Sequence, residues 1–598
     1  MADEQKKIVP INYTHREFSS IRQDLLELAE RLYPNTFKDW SEASFGALMV
    51  DAVAYVGDQL SFYLDYNVNE SFLDTAYQSS NIIRHGRALG YKYEGRPSTY
   101  GQVAMFVLVP VSSTGIGPDT NYVPVVKQGT RFTSKTGLSF ILTQNVDFAD
   151  SKNPVVVASV DTGTGAPTYY AIKAYGNVVS GQFSQEKIKV GAYQQFLKLR
   201  LASNNIAEIF SIVDSEGNEY YEVDYLAQDM VLKQIANTNY QNDNVPSILK
   251  PLLVSRKFVV EKDIGNTFLQ FGSGKAGETN VVANPQSVAV NAFGKDYVTD
   301  VTFDPTRLTK NQNLGIVPSN TTLTIQYRVT NVGNSNVTVG AVNSVAEARM
   351  NFADASSLTT STMQTVIDSL EVSNDEPIIG DGTLPSATEI KRRIFDTFPT
   401  QNRAVTQADY ENIVYRMPLE FGSIRRCSVQ KDPNAQKRNL NLYVVSEDSA
   451  GKLIKTNDAI KNNVKTWLNQ YRMLNDTIDI LDPYILNFGI NFTIKAATGV
   501  DKFTLLNSAI NALATKYTTA FYIGEPFYIS DIYSELKGVQ GLLDVLAVRV
   551  FSKTGASYSE ANIDINANLS PDGSYVVVPA NALVEIKFPS TDITGKVV

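Results

Sequence analysis

The sequence predicts a multidomain α+β protein, with an N-terminal helical bundle segment, a β-rich middle, and small ferredoxin-like α+β domains at the C-terminal end. Three observations predict this class. Apolar residues recur at helical spacing before residue 97 and again over residues 351–420. Alternating and β-branched runs, broken by Gly, Pro, Asn and Asp, dominate residues 98–350. Strand-like and helix-like segments then alternate to residue 598.

The predicted divisions follow these changes of pattern. They are a helical segment over 1–97, β-rich domains over 98–350, a helical connector over 351–420, an α+β domain over 421–500 and an α+β C-terminal domain over 501–598. A chain of 598 residues suffices for about three to five ordinary domains. The turn-rich link from Ile379 to Pro385 is expected to be a flexible hinge.

Composition favours a protein that contacts other proteins. Charged residues make up 19% of the chain, below the usual ~25%, so uncharged polar side chains must cover much of the surface. The net charge of −9 argues against broad nucleic-acid binding. The single cysteine, Cys427, excludes a disulfide-stapled fold, and no run of residues is apolar for long enough to predict a membrane span.

The longest helical pattern, from Ser44 to Leu64, is apolar almost all the way round. One broad face is apolar at helical spacing: Phe45, Leu48, Met49, Ala52, Val53, Val56, Leu60 and Leu64. A second seam of mostly small side chains recurs every three or four residues: Ala47, Val50, Ala54, Gly57 and Ser61. Acids at seven-residue spacing lie between them: Asp51, Asp58 and Asp65. Ser41 and Glu42 suit the N-terminus of this helix.

Two packing faces are compatible with two interpretations: the centre of the domain's own core, or an interface with another chain. The neighbouring predicted helices, Glu17–Leu32 and a short one from Ser79 or Ser80 to Gly90, look too few and too polar to cover both faces. That shortage favours a partner. The predicted partner-contact residues are Phe45, Ala47, Leu48, Val50, Asp51, Ala54, Gly57, Asp58, Ser61 and Asp65.

Later segments carry clear element signals. Residues 322–340 are predicted to form a hairpin, and residues 215–218 a tight turn between two strands. Ser386 and Thr406 each precede an acid by three residues, a spacing typical of helix starts. The C-terminal prediction comprises strands over 423–430, 439–446, 485–497 and 542–551, and helices over 458–471, 503–517 and 529–539.

No catalytic residue, cofactor site or metal site is predicted. The two histidines, His15 and His85, are too far apart in sequence to suggest one centre. Residues 272–277 match G-x-G-x-x-G without a following helix, so a turn is favoured over a phosphate loop. The acids of residues 214–224 would suit a calcium or sugar site, but their order fits a hairpin turn better. A basic run is read as a solvated face or a contact for a partner's acids: Lys391, Arg392, Arg393 and Arg403.

Five stretches, in order along nearly the whole chain, carry a family resemblance. Within residues 71–108, six residues resemble the family's Arg-x-x-Ala-x-x-Leu-Gly-Tyr stretch: Arg84, Arg87, Ala88, Leu89, Gly90 and Tyr91. His85 and Gly86 depart from it, since more apolar helix residues are expected there. Residues 125–134 and 268–277 resemble Pro-Ala-Gly-Thr-x-Phe and Arg-Phe-Gly-Asp-Gly stretches, with departures at Lys127, Gln128, Gln270 and Ser273. Residues 388–418 and 523–545 complete the set. Together they resemble the baseplate J-like wedge proteins of contractile-tailed phages, especially the large wedge subunit of T4-like phages.

The resemblance implies a structural, non-enzymatic component of a baseplate wedge in the virion tail, assembled in the host cytoplasm. Such a protein forms the inner ring around the hub and transmits the conformational change that triggers sheath contraction. The implied partners are a second copy, another baseplate wedge protein, and sheath-initiator and hub-side tail proteins, without nucleic acid. Two alternatives stay open: a smaller J-like protein of a simpler phage or phage-derived injection device, and a tail-associated glycan-degrading enzyme.

Overall fold

A computed structural model describes residues 17–32, 44–237, 247–275, 314–330, 333–433, 439–517, 521–555 and 557–598. The chain divides into two compact units: Met1–Tyr91 with Pro385–Phe395, and Lys92–Leu384 with Asp396–Val598. The predicted class, a multidomain α+β protein with a helical N-terminal part and a β-rich middle, is confirmed. The five divisions by residue number stay a prediction.

The first unit is helical. It contains α1 (Phe18–Leu32), α2 (Phe45–Glu70), α3 (Ser79–Ala88) and the first turns of a helix that begins at Ala387. The prediction for α1 and α3 is confirmed, and Gly90 has the positive φ of +88° that commonly follows a helix end. The long helix continues past the predicted Leu64 to Glu70. Ser41 and Glu42 lie outside the described residues.

Glu70 closes the turn that follows α2. Its buried carboxylate accepts hydrogen bonds from the backbone N–H groups of Tyr77 (2.8 Å) and Gln78 (3.1 Å) and from Nδ2 of Asn81 (2.9 Å). The Asn81 hydrogen bond lowers the pKa of Glu70, although burial acts in the opposite direction. The carboxylate therefore stays ionised and fixes the chain between α2 and α3.

Gly86 allows α3 to pack closely. A Cβ at this position would lie 2.8 Å from Cδ1 of Ile394, which belongs to the same unit. A larger side chain would therefore separate the two helices. The glycine that departs from the family string thus has a packing reason.

The described residues of the β-rich middle form two seven-stranded sheets and two smaller ones. Its elements are β1 (Tyr100–Pro110), β2 (Val125–Val126), β3 (Arg131–Ser134), β4 (Ser139–Leu142), β5 (Val146–Asp147), β6 (Val155–Val160), β7 (Pro167–Ser180), β8 (Gln182–Lys189), β9 (Lys198–Arg200), β10 (Ile206–Val213), β11 (Glu219–Glu222), β12 (Met230–Ala236), β13 (Ser247–Leu253), β14 (Lys257–Asp263), β15 (Asn266–Phe271), β16 (Thr322–Val329), β17 (Val342–Glu347), β18 (Met350–Asn351), α4 (Thr360–Asp368) and β19 (Glu371–Ser373). The first sheet has the order β17-β3-β4-β7-β1-β19, with β6 beside β7. The second sheet has the order β8-β16-β10-β11-β14-β15-β9. β18, β2 and β5 form one small sheet, and β12 and β13 form the other.

Each large sheet covers its own core. In the first, Val103, Met105 and Val107 of β1 share one face of the strand and are fully buried. Val366 of α4 packs into the same core. The second sheet buries Phe258, Phe271 and other residues in a separate cluster.

Two local predictions for the middle have different outcomes. The turn at residues 215–218 is confirmed, since Oδ1 of Asp214 accepts hydrogen bonds from the N–H groups of Glu216 and Asn218. The hairpin over residues 322–340 is wrong, because β16 pairs with β8 and β10. The alternation of apolar and polar residues correctly predicted the strand β16, but the strands that pair with it lie far away in the sequence.

Gly272, within the glycine-rich stretch, is required by a close backbone contact. A Cβ there would clash with the carbonyl oxygen of Leu314. We expect Gly272→Ala to lower the free energy of unfolding by about 3 kcal/mol, because the added methyl group would overlap backbone atoms of Leu314. Chemical denaturation measures the loss, with Gly191→Ala, which has open space at its Cβ, as the matched control. Equal stability of the two variants would contradict the contact. Residues 276 and 277 lie outside the described part.

The C-terminal half is α+β, as predicted. Its elements are α5 (Ala387–Thr400), α6 (Gln407–Tyr415), β20 (Arg426–Lys431), β21 (Asn439–Glu447), β22 (Leu453–Lys455), α7 (Asp458–Leu468), β23 (Thr477–Leu481), β24 (Tyr484–Ala496), α8 (Lys502–Lys516), β25 (Phe527–Tyr528), α9 (Ile529–Lys537), β26 (Leu542–Ser552), β27 (Tyr575–Val576), β28 (Ala582–Glu585), α10 (Pro589–Asp592) and β29 (Ile593–Val597). One four-stranded sheet comprises β20 to β23, and the next comprises β24, β26, β28 and β29. β21 runs parallel to β23, and β24 runs parallel to β28 and β29.

Both predicted helix starts carry capping hydrogen bonds. Oγ of Ser386 accepts from the N–H of Glu389 at 3.2 Å. Thr406 and Asp409 form the full reciprocal capping box at the start of α6.

The first part of the link from Ile379 to Pro385 is hydrogen-bonded to distant parts of the chain, and its role as a hinge stays a prediction. The Asp381 carboxylate is buried and accepts a hydrogen bond from Arg96. Thr383 donates from both its N–H and its hydroxyl to Oε2 of Glu447, at 2.8 and 2.9 Å. The glycines and the proline of this link predicted a flexible segment. In the structure, its first part is hydrogen-bonded to the side chains of Arg96 and Glu447, which are distant in sequence.

Glu420 is expected to make the free energy of unfolding depend on pH. Burial, followed by the nearby Glu208, raises the pKa of Glu420 from 4.5 to about 7, while Arg328 opposes the shift. Glu94 adds to the rise and Lys262 also opposes it. Because the folded state holds the proton more tightly than the unfolded state, stability should increase as the pH falls from about 7 towards 4.5.

We expect Glu420→Gln to flatten this part of the curve of unfolding free energy against pH. Denaturant titrations at about pH 5 and about pH 8 measure the change. The exposed Glu371→Gln is the control. If Glu420→Gln and the parent chain kept the same pH dependence, the assignment to Glu420 would be incorrect.

Candidate protein interface on the long helix

α2 is fixed at both ends by its own residues. Oγ of Ser44 accepts a hydrogen bond from the N–H of Ala47 at 3.0 Å and caps the N-terminus. At the other end, the N–H and the hydroxyl of Ser71 donate to the carbonyl of Asn67. The helix therefore presents its side chains from a defined position.

The small-residue seam faces α1 of the same chain. Ala47 and Ala54 are 1% and 0% exposed. A Cβ on Gly57 would lie 3.3 Å from Cδ1 of Ile21 on α1, so the glycine allows the two helices to approach closely. The chain itself therefore covers the seam.

The three acids at seven-residue spacing, Asp51, Asp58 and Asp65, differ in burial and in contacts. Asp51 forms an ion pair with Arg22 of α1 at the edge of the seam. Asp58 is half-buried, and Asp65 is exposed and also engaged. The first acid of the row thus meets a basic side chain of its own chain.

The opposite side of α2 is a continuous apolar surface. Its large side chains are between 49% and 75% exposed. We call this surface the exposed face of α2: Phe45, Leu48, Met49, Val53, Tyr55, Val56, Leu60, Phe62, Tyr63, Leu64 and Val68. At about 100° per residue, these positions extend over roughly 200° of the helix circumference or more.

An exposed apolar surface of this kind indicates a binding site. Soluble monomers seldom expose large contiguous apolar patches, and such patches usually mark protein or membrane contacts. Burying each side chain of this type contributes about 1.5–3 kcal/mol. One packed helix covers a stripe of about 100°, so the exposed face has room for two further helices.

The predicted contact residues therefore fall into two groups. Phe45 and Leu48 lie on the exposed face, whereas Ala47 and Ala54 are buried and Val50, Gly57 and Ser61 are half-buried. Their contact with a partner stays a prediction. The sequence marked Met49, Val53, Val56, Leu60 and Leu64 as an apolar face, but it gave no sign that α1 would cover the small seam instead. The sequence analysis placed four residues of the exposed face in neither of its two faces: Tyr55, Phe62, Tyr63 and Val68. Their large aromatic or β-branched side chains were the only sequence feature that could have indicated them.

The residues considered for chemistry have structural roles where they are described. Nε2 of His85 lies 2.8 Å from the carbonyl oxygen of Glu70, and His15 is outside the described residues. Glu219 accepts a hydrogen bond from Tyr221 and raises the pKa of that phenol to about 12. Across the described ranges, no group of three or more His, Cys, Asp or Glu residues is placed to hold a metal ion.

The basic run and Cys427 also contact their own chain. Arg393 pairs with Glu389 at 3.1 Å, and Nζ of Lys391 donates to the carbonyl of Asp74. Cys427 is a buried free cysteine. Among the described helices, none combines the length and the apolarity needed to cross a bilayer.

Residues 16–88, which include α1, α2 and α3, match the family model described as "Bacteriophage baseplate protein, N-terminal domain". No curated protein matches the chain. This N-terminal segment is therefore similar to the N-terminal domain of bacteriophage baseplate proteins, which indicates a baseplate-like structural component of a phage tail.

Two solved structures show distant likeness. The anti-feeding prophage baseplate aligns at 9% identity and a TM-score of 0.27, over 96% of this chain and 99% of that chain. The TssK-TssF-TssG baseplate subcomplex of a type VI secretion system aligns at 8% identity and a TM-score of 0.22, over 73% of this chain and 95% of that chain.

Proposed function

We propose that the protein is a structural wedge component of a contractile phage tail baseplate, located in the virion tail and assembled in the host cytoplasm. The observation that carries the proposal is the exposed face of α2, which lies within the segment matching a baseplate N-terminal domain. An apolar helix surface of this size is typical of a subunit that completes a helical bundle with other chains.

The proposed occupants of this surface are a helix from a second copy and a helix from another baseplate wedge protein. Two occupants fit the width of the exposed face, and the family resemblance supplies these two kinds of partner. The sheath-initiator and hub-side tail proteins are proposed to bind elsewhere on the assembled wedge.

In this role the protein acts through changes of contact between subunits. We propose that it forms part of the inner ring around the hub and transmits the conformational change that triggers sheath contraction. Such a transition redistributes interfaces between two assembly states and involves no bond chemistry.

The proposal assigns no catalytic activity to the chain. Activity assays of the purified protein on peptidoglycan and polysaccharide substrates separate this role from that of a tail-associated glycan-degrading enzyme. Hydrolysis that tracks with the purified chain would replace the structural role with the enzymatic one.

The direct test is co-expression with the tail proteins encoded beside it, followed by mass measurement of any complex. A stable complex with two copies of this chain and one or more copies of a helical partner is expected. A chain that stays monomeric beside all neighbouring tail proteins would refute the proposal.

A further inference from the structure

The strand β6 is exposed on both of its faces. All six of its residues, Val155–Val160, are exposed, and its four valines are between 44% and 61% exposed. Successive side chains of a strand point to opposite faces, so Val155 and Val157 lie on one face and Val156 lies on the other. An antiparallel strand commonly buries at least one face against a core. Neither face of β6 is covered by the described part of the chain.

One edge of β6 is also open. The strand pairs with β7, and no other described strand pairs with it. The N–H of Lys173 donates to the carbonyl of Pro154 at 3.1 Å, which makes these two residues a hydrogen-bonded pair. Hydrogen-bonded and non-hydrogen-bonded pairs alternate in an antiparallel ladder. The N–H and C=O groups of Val155 and Val157 therefore point away from β7.

The turn after β6 fixes the position of this edge. Oδ1 of Asp161 accepts hydrogen bonds from the N–H groups of Gly163 (2.9 Å) and Thr164 (2.7 Å). The N–H of Asp161 donates to the carbonyl of Ala166 at 2.8 Å and closes the hairpin onto β7. A backbone edge held in place before binding lowers the ordering cost of binding.

β6 lacks the features that usually protect an open edge. Charged side chains and proline are common means of preventing pairing with another chain. The terminal strands of the second sheet carry such charges: Glu186, Lys187 and Lys189 in β8, and Lys198 and Arg200 in β9. The sequence of β6 contains no charged residue and no proline. Its edge is therefore chemically suited to accept a further strand.

The exposed groups define the chemistry of the occupant. Backbone groups aligned along a strand edge are satisfied by an extended segment, whose alternate side chains then pack on the two faces. The uncharged valines favour apolar side chains in that segment. A second copy of β6 would supply only valine, alanine and serine, and its own two faces would add to the exposed apolar surface. Larger apolar side chains from a different chain would cover the valines.

We infer that β6 binds, as an added strand, an extended segment of a different polypeptide chain that carries large, uncharged apolar side chains over about five residues. This interaction surface goes beyond the proposed function, since it is separate from α2 and does not depend on it. A single added strand buries less than the roughly 1,200–2,000 Å² of a typical stable interface. The contact therefore suits a segment whose parent protein is also held at another site.

The test measures binding of a fluorescent peptide to the full chain by fluorescence anisotropy. The peptide has five alternating valine and phenylalanine residues and a glycol chain for solubility. Val157→Pro removes an N–H from the open edge and leaves the pairing with β7, so it should weaken binding about tenfold or more. Val339→Pro is the matched control. Val339 is an exposed valine at the second position of a tight turn, where proline is favoured, and binding should be unchanged.

A second peptide tests the backbone contact without altering the protein. It has the same side chains and a methyl group on every backbone nitrogen, so it cannot donate to the strand edge, and it should bind at least tenfold more weakly. Equal binding of the two peptides, absence of binding by the first, or unchanged binding to the Val157→Pro chain would overturn the inference. Dimerisation of the parent chain that Val157→Pro abolishes would also overturn it, since the occupant would then be a second copy. None of these results would alter the co-expressed complex through α2, so the proposed function is tested separately.

Discussion

Replacing Val56 and Leu60 by glutamate is expected to abolish the complex with co-expressed tail proteins without lowering the thermal stability of the chain. Both side chains are more than half exposed on α2, so glutamate there stays in contact with water in the isolated protein. In the complex, the same positions would be buried. Losing two such apolar contacts and burying two charges should weaken binding about 100-fold or more.

The matched comparison is Ala54→Leu on the buried side of the same helix. Ala54 is fully buried on the side that faces α1, so a larger side chain should separate the helices and destabilise the isolated chain by about 1–3 kcal/mol. Gly57→Leu should act in the same way against Ile21. These variants should reduce assembly indirectly, together with a lower melting temperature.

Pull-down of the co-expressed complex and thermal unfolding of each variant give the two readouts. The expected pattern is loss of binding with unchanged melting for the exposed pair, and lower melting for Ala54→Leu. Normal assembly by the Val56→Glu/Leu60→Glu chain would remove the exposed face of α2 from the proposed function.

The long helix shows how far local pattern can predict a structure. Helical periodicity identified α2 and its two faces, because that information lies within one turn of the chain. It did not decide which face α1 would cover, since the seam of Ala47, Ala54 and Gly57 is equally suited to a helix of the same chain or of another. Only the position of Ile21 and Arg22 resolves this within the chain.

The sheets show a second kind of missing information. β16 was predicted as a strand, and its alternating Leu323, Ile325 and Tyr327 are buried. Its pairing with β8 and β10 depends on residues more than a hundred positions away. In the C-terminal half, where strands and helices alternate at short range, the predicted and observed elements agree closely.

Replacing Arg328 is expected to destabilise the chain strongly, because this residue connects the two seven-stranded sheets of the middle region. This residue of β16 is 0% exposed. Its Nη1 donates to Oγ of Ser98 (2.9 Å) and to the carbonyl of Ser180 (2.6 Å), at the start of β1 and the end of β7. Its Nε donates to Glu208 of β10 in the second sheet at 3.3 Å.

We expect Arg328→Met to destabilise the chain by about 3 kcal/mol. Breaking a buried charged contact by removing one partner costs about 3–5 kcal/mol, and the lower end applies because Glu208 is about one-third exposed. Since the lost hydrogen bonds connect the two sheets, calorimetry should also show unfolding separating into two transitions. Arg131→Met, which removes an ion pair between half-exposed side chains, should cost less than about 1 kcal/mol.

The two measurements distinguish a local loss from a loss of coupling. If Arg328 only filled space, methionine would keep most of the stability and unfolding would remain a single transition. If it couples the sheets, the second sheet should unfold at a lower temperature while the core around β1 and β7 keeps its own transition. Such coupling would let a load applied to one sheet reach the other without bending the chain between them, which the proposed transmission of movement between partners would require.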